Sequence, residues 1–526
     1  MGSLNLSLVE STFKDLKILK NQTTKVPYLT VENFPDLGLL TSLRFLEWVS
    51  ANPEGVVSLP TGKTPEYFIK WTHYILNNWN KKELEFLRKD NGLIIKKKPS
   101  LSNLKFVQID EFYPLDSNQH NSFFYYVNKY YIEGFGLSLK KAMLIDSNKI
   151  TFSNNLTWKE VFPKMEVDLT LRYRNPLNED EEIQQDAIYS IDQWCADYEK
   201  KIRDLGGIGF FLGGIGPDGH IAFNIRGSNH NSTTRLLKTN FETQAAAATD
   251  LGGIEISRNR LVITIGLGTI SFNPKVVAII LAAGEAKSKI VKDSLENIED
   301  IKYPATVLGK LKNSRFYLTN GASKKLKDIE NQYWFNNKWD EKKEQKALLY
   351  LSKKKNIFGK KLKLKDLESD PICQEIPNLN ENSVQEIINN IDKKVQRGIN
   401  TEKNQIYYHT GPHHDDIMLG MMPHIIHLIR EPSNKHYFAN MTSGFTSVTN
   451  SFILRILFQT LSFINHDKIQ MLNYSNFFSE GYKNKWDKDV FHYLDSIANE
   501  NQEEQKRGVS HRVIRIIVDI FKVVDK

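Results

Sequence analysis

The sequence predicts an α/β protein: a doubly wound, mostly parallel, Rossmann-like sheet, followed by a helical linker and a second, truncated α/β domain. Three observations carry this reading. Short runs rich in β-branched and aromatic residues alternate with longer segments of three- and four-residue apolar spacing, the pattern of a sheet covered by helices. Some of these runs, 208–212 and 276–283, are apolar throughout rather than alternating, as strands buried on both faces are. Residues capable of chemistry follow such runs directly, at the carboxyl edge where open α/β sheets bind ligands.

Taken in order, residues up to about 31 show no strong period and are expected to form a loose extension. Asp36 is placed to cap a helix with Leu39, Leu43, Leu46 and Val49 on one face. Residues 55–59 read as a strand, LPTGKTP as a turn, and Pro65 as the start of a helix with Phe68, Trp71, Ile75 and Trp79 inward. Proline suits a first helical turn, and free amides there bind anions. Strand, Thr61-Gly62-Lys63-Thr64, helix is therefore a candidate phosphate cradle, although an ordinary strand-to-helix turn has the same form. It is not a Walker A loop, because position 57 is Val where that motif needs Gly.

Residues 106–109 form the next predicted strand, with Asp110 and Glu111 at its carboxyl end, and 141–145 a short one. Ile188, Ile191, Cys195, Tyr198 and Ile202 mark a helix leading into 208–212, after which GGIGPDGHIAFN presents Asp218 and His220 two residues apart. The GxGxxG within this stretch is not a dinucleotide fingerprint, since that must open a helix and the following residues have no helical period. Residues 261–265 and 276–283 are two further buried strands, the second ending in AAGEAK, which sends Lys287 to the same edge; 316–319 is the last strand of the unit.

Residues 322–404 read as a Lys- and Asn-rich helical linker. A second unit begins at 405 with IYYHTGPHHDDIMLG: a strand, then His413, His414, Asp415 and Asp416, then a helix with Met418, Met421, Met422, Ile425 and Leu428. Such a His/Asp cluster is either a set of metal ligands or a hydrogen-bonded helix start.

At 526 residues the chain exceeds one ordinary domain. Its two cysteines, Cys195 and Cys373, form no CxxC pair, which fits a reducing compartment and excludes a disulfide framework. With no apolar leader and no apolar run long enough for a membrane span, a cytoplasmic protein is expected. The net charge of +8 is dispersed, and where lysines crowd, at 352–366, no nucleic-acid-binding motif accompanies them. An anionic small molecule is thus the expected partner, rather than nucleic acid or membrane, and a homo-oligomer the expected assembly.

Taken together, LPTGKTP, IDEFYPLD, YEKKIRDLGGIGFFLGGIGPDGHIAFN, RLVITIGLGTI and LAAGEAK, in that order, resemble the glucosamine-6-phosphate deaminase (isomerase) family over residues 1–321. Phe112 after the Asp-Glu pair and IAFN after DGH set the chain apart from 6-phosphogluconolactonases, which share the fold and carry Arg after the pair. The resemblance implies conversion of glucosamine 6-phosphate and water to fructose 6-phosphate and ammonia without a cofactor. It implies that Asp110 is the C2-proton base, His220 the ring-opening acid/base and Asp218 its partner, with Thr61, Gly62, Lys63, Thr64 and Lys287 holding the phosphate. Two departures stand out. The family's catalytic Glu falls on Ile225, and a phosphate- or effector-contacting Arg falls near Thr249; Arg226, Arg235 and His230 are candidate substitutes. The alternatives are a 6-phosphogluconolactonase-like hydrolase and a sugar-phosphate sensor that kept the pocket and lost the chemistry.

Residues 405–526 resemble the front of the zinc-dependent N-acetylglucosaminyl deacetylases of the phosphatidylinositol-glycan type, whose His-Pro-Asp-Asp-Glu signature aligns with positions 413–417. The resemblance implies His413 and Asp416 as metal ligands and Asp415 as base. The Pro, the Glu and a distal ligand motif are absent, so zinc binding is not expected, and the domain is expected to be a structural or regulatory remnant.

Overall fold

The computed structural model describes residues 5–521 apart from 15, 20–21, 154, 252–256, 258–259, 337, 414, 442–449, 467–492 and 495, and apart from the side chains of 246, 248–251, 451 and 519. Two compact units are present, 1–400 and 401–526. Among the described residues no helix is long and apolar enough to cross a membrane.

The first unit opens with α1 (Leu8–Thr12), β1 (Tyr28–Val31) and α2 (Phe34–Ala51). These residues are not a loose extension: Val9 and Phe13 are buried, and β1 pairs in parallel with residues 316–319, remote in sequence. The cap of α2 is Asn33, whose side chain accepts the Asp36 N–H, so Asp36 lies inside the first turn instead of capping it. There its carboxylate is favourable to the helix dipole. The predicted face Leu39, Leu43, Leu46 and Val49 is buried.

β2 (Val56–Ser58) and α3 (Glu66–Asn77) flank the LPTGKTP turn, followed by β3 (Lys105–Val107), β4 (Asp110–Tyr113) and β5 (Ala142–Met143). α4 (Glu179–Asp204) leads to β6 (Phe210–Gly214), then β7 (Arg235–Lys238), α5 (Phe241–Leu251), β8 (Leu261–Thr264), β9 (Val277–Ala282), α6 (Ser288–Glu296) and β10 (Ser314–Thr319).

Seven strands form a parallel sheet in the order β1-β10-β9-β6-β2-β3-β5. Successive residues of a strand face opposite sides, so each apolar run feeds two cores. In β9, Ala278, Ile280 and Ala282 join one core while Val277, Ile279 and Leu281 join the other; in β6, Phe211 opposes Phe210 and Leu212. The chain moves outward from β2 to β3 and β5, then returns to place β6 on the other side of β2. The β2–β6 boundary is therefore the topological switch point, where the turns leaving the two strands diverge and open a crevice.

Two expectations are corrected here. Residues 261–265 do not extend the parallel sheet; β8 is the centre of a separate three-stranded antiparallel sheet, β4-β8-β7. For the same reason Asp110 does not end a strand but begins β4, opposite Thr264. An apolar run buried on both faces looks the same in either sheet, because its partners are remote in sequence. The small sheet lies over the carboxyl edge of the large one, with the Ile265 N–H bonded to the Ile109 carbonyl.

Beyond β10 the first unit continues as helices, including α7 (Glu341–Lys355) and α8 (Glu381–Ile399), which enclose a small core of their own around Trp334, Leu348, Leu351 and Ile387. The second unit begins as a β-α-β element: β11 (Ile406–Gly411), α9 (Asp416–Ile429) and β12 (Lys435–Asn440), with the two strands parallel. Ile417, Ile425 and Leu428 are the buried residues of α9, whereas Met418, Met421 and Met422 are exposed. Two further helices, α10 (Asn450–Asn465) and α11 (Gln502–Phe521), pack through Phe463 and Ile514.

Candidate functional site

A cavity of about 400 Å³ opens at the switch point. Its floor is the turn after β2, Thr61 to Thr64; the loop after β6 supplies Ile215, Gly216 and His220; Asp110 enters from β4; and Lys287 enters from the turn before α6. Residues read from four separate stretches of sequence are thus brought to one place, and Asp218 stands directly behind His220.

Asp218 is 1% exposed. One carboxylate oxygen lies 2.5 Å from His220 Nδ1, and the other accepts the Arg226 N–H at 3.1 Å and the Asn240 side-chain amide at 2.6 Å. Burial opposes its ionisation, but His220, the Arg226 N–H and Asn240 outweigh this and hold the carboxyl well below the usual carboxylate range. An ionised carboxylate can only accept hydrogen bonds, which assigns the Nδ1 proton to His220 and leaves Nε2 free to work on a substrate. Glycine at 216 is a condition of this arrangement, because a Cβ there would meet the imidazole at 1.9 Å. Phe223 stacks against the ring, 5.8 Å between centroids and 17° between planes.

The two carboxylates after Gln108 have different fates. Glu111 is spent on structure, accepting N–H groups from Phe112, Phe123 and Phe124 and the Ser122 hydroxyl. Burial nevertheless pushes its carboxyl up to about 7. Asp110 is 6% exposed and lines the cavity. Burial, reinforced by the neighbouring Glu111, raises its carboxyl well above the ordinary range. A desolvated carboxylate of this kind is a strong base once ionised.

At the other end of the cavity, Gly62 has φ +78°, a left-handed conformation that glycine adopts without strain. The Tyr126 hydroxyl donates to the Gly62 carbonyl at 3.0 Å, and the Tyr131 hydroxyl donates to the Pro60 carbonyl, so the turn is held from outside. The Lys287 ammonium donates to the Ile215 carbonyl at 2.9 Å; burial lowers its pKa, partly offset by Asp218. The backbone of this turn and the ammonium, both at the cavity wall, are groups chemically suited to an anion.

None of the three candidate substitutes lines the cavity. The Arg226 side chain is exposed and only its backbone serves Asp218. Arg235 is bonded to Asn224 and Ser228, and His230 to Glu299. Ile225 is likewise absent from the cavity wall, and the side chain of Thr249 lies outside the described residues. Conversely, sequence reading missed Phe112, Phe123, Phe223, Thr243 and Ala247, which line the cavity. Phe223 lay inside the IAFN motif, but nothing in NFETQ announces a site.

In the second unit, Asp416 Oδ2 accepts the His413 N–H at 2.8 Å and lies 3.3 Å from His413 Nδ1, as at a hydrogen-bonded helix start. No group of three or more metal-ligating side chains is present among the described residues, from which His414 is excluded.

No family model matches the chain. Over 134 residues it is 36% identical to a glucosamine-6-phosphate isomerase of Candida albicans, covering 26% of this chain but only 54% of that protein. It is 30% identical over 204 residues to a glucosamine-6-phosphate deaminase of Borrelia garinii subsp. bavariensis, covering 37% of this chain and 70% of the relative. A Clostridium perfringens glucosamine-6-phosphate deaminase is matched at 25% identity over 57% of this chain and 99% of its own length. Among solved structures, a monomeric glucosamine-6-phosphate deaminase aligns at 20% identity with a TM-score of 0.43, over 57% of this chain and 99% of its own. A 6-phosphogluconolactonase from Leishmania guyanensis aligns at 15% and 0.36, over 57% and 98%. With 30% identity across more than two thirds of a relative's length, the chain belongs to the glucosamine-6-phosphate deaminase family.

Proposed function

We propose that the chain, through residues 1–321, converts glucosamine 6-phosphate and water to fructose 6-phosphate and ammonia. The observation that carries this reading is the one cavity that joins groups suited to an anion, an oriented histidine and a buried carboxylate, Asp110, without a hydrogen-bond partner among the described residues. The phosphate sits on the Thr61–Thr64 turn and Lys287. His220 Nε2 shuttles the proton that opens the sugar ring, with Asp218 holding the imidazole in its working tautomer. Asp110 takes the C2 proton and returns it to C1; the resulting imine at C2 takes up water and releases ammonia. Each positioned acid or base of this kind contributes about 10²–10⁴-fold.

Coupled detection of ammonia and fructose 6-phosphate tests the reading. Hydrolysis of 6-phosphogluconolactone without ammonia release would replace it with the lactonase, and tight binding of sugar phosphate without turnover would replace it with the sensor. Two further results are expected. Lys287→Ala raises KM about tenfold or more, as loss of a charged hydrogen bond worth about 1.5–3 kcal/mol implies, with kcat little changed. The acid limb of the kcat/KM profile lies above the ordinary carboxylate range. Asp110 must be ionised to act, its pKa is raised, and activity is therefore lost as pH falls through that raised value. An acid limb at the pKa of a solvent-exposed Asp would remove Asp110 from the role of base.

A further inference from the structure

We propose that Asn240 is a positioning residue of this site, its side-chain amide bridging Asp218 and the first turn of α5 and so holding the Asp218–His220 pair where no carboxylate is available at position 225. The inference rests on the reading of the cavity given above. The Asn240 Nδ2 group donates to Asp218 Oδ2 at 2.6 Å, while Oδ1 accepts the Thr243 N–H at 3.0 Å. The orientation of the amide follows from its partners, because a carboxylate cannot receive a bond from an amide oxygen, nor a backbone N–H give one to an amide nitrogen. The backbone carbonyl of Asn240 also receives the Gln244 N–H, so the residue occupies the N-cap position of α5.

This placement closes a ring of contacts. Asp218 Oδ1 lies against His220 Nδ1, and the Thr243 hydroxyl, one turn into the helix capped by Asn240, lies 3.3 Å from the same nitrogen. One amide thus fixes both groups that face His220 Nδ1. Ile225 offers neither a charge nor a hydrogen bond from its side chain. The charged groups around the pair are Lys287, which interacts with Asp218, and Asp110 across the cavity. Neither contacts the face of Asp218 that Asn240 occupies; the second donor there is the Arg226 N–H.

The decisive variant is Asn240→Asp. Aspartate is nearly the same size and caps helices as well as asparagine does, so the start of α5 is kept. An ionised carboxylate, however, cannot donate to Asp218 and places a second negative charge beside it. The expected result is a fall in kcat of about tenfold or more, a fraction of the ~10²–10⁴-fold that a positioned acid/base supplies, with KM within about twofold of wild type. The added charge favours imidazolium, so the pH profile of kcat and the NMR titration midpoint of the His220 imidazole both move upward relative to wild type. Asn240→Ser, which also caps but is too short to bridge, is expected to lower kcat without the upward shift, and decides the matter if the Asp variant does not fold. If both capping variants keep wild-type kcat and pH dependence while only Asn240→Ala loses stability, Asn240 is a helix cap alone and the proposal is overturned. The NMR readout needs no substrate. A wild-type protein that releases no ammonia would therefore sink the functional reading, while the titration still tests the contact.

Discussion

Asp110→Asn is expected to lower kcat about 10²–10⁴-fold while leaving substrate affinity near that of the wild type. The substitution keeps the size of the side chain and removes only its capacity to take a proton. Because Asp110 begins β4 and is anchored by backbone pairing to Thr264, its position does not depend on the carboxylate, and the cavity keeps its shape. The effect falls on the C2 step, so exchange of the C2 hydrogen with deuterated solvent, followed by NMR, reports it directly. Unchanged exchange in the variant would show that another group moves the proton. Glu111→Gln is the control: three of its four bonds tie β4 to residues 122–124, so it is expected to lower stability before it alters the exchange step.

The second large effect is on stability. Glu10 is fully buried; it accepts from Arg315 Nη1 at 2.6 Å, from the Tyr317 hydroxyl at 2.5 Å and from the Ser7 N–H at 2.8 Å, and lies 3.9 Å from Arg44 Nε. Arg315 is 3% exposed and Arg44 8%. Removing one partner of a buried pair leaves the other charge uncompensated, which costs about 3–5 kcal/mol. Glu10→Ala is expected to lose this much in urea unfolding of the full chain, and Glu10→Gln less, since it keeps an acceptor for Tyr317. A loss below about 1 kcal/mol in the Ala variant would mean that the arginines find water instead. Glu10, at the centre of this cluster, belongs to the stretch whose sequence promised only a loose extension.

That contrast shows what local pattern can and cannot reveal. The alternation of apolar runs and helical faces determined the doubly wound class, because side-chain period is fixed by backbone geometry within a few residues. The turns after those runs determined which residues reach the carboxyl edge: Thr61 to Thr64, His220 and Lys287 follow β2, β6 and β9 directly, and a residue that follows a parallel strand has nowhere else to go. The tertiary structure alone decided the rest. It placed β1 against β10, joining Glu10 to Arg315 across 305 positions. It diverted residues 261–264 into a second sheet and so started β4 at Asp110. It set Asn240, 22 positions away, on Asp218, and turned Arg235 and His230 to other partners. Pairing partners and buried counter-charges are chosen by which surfaces meet when the chain closes. That choice leaves no period in the sequence of either partner, which is why helix and strand content was legible and the second sheet, the N-terminal ion pair and the support behind His220 were not.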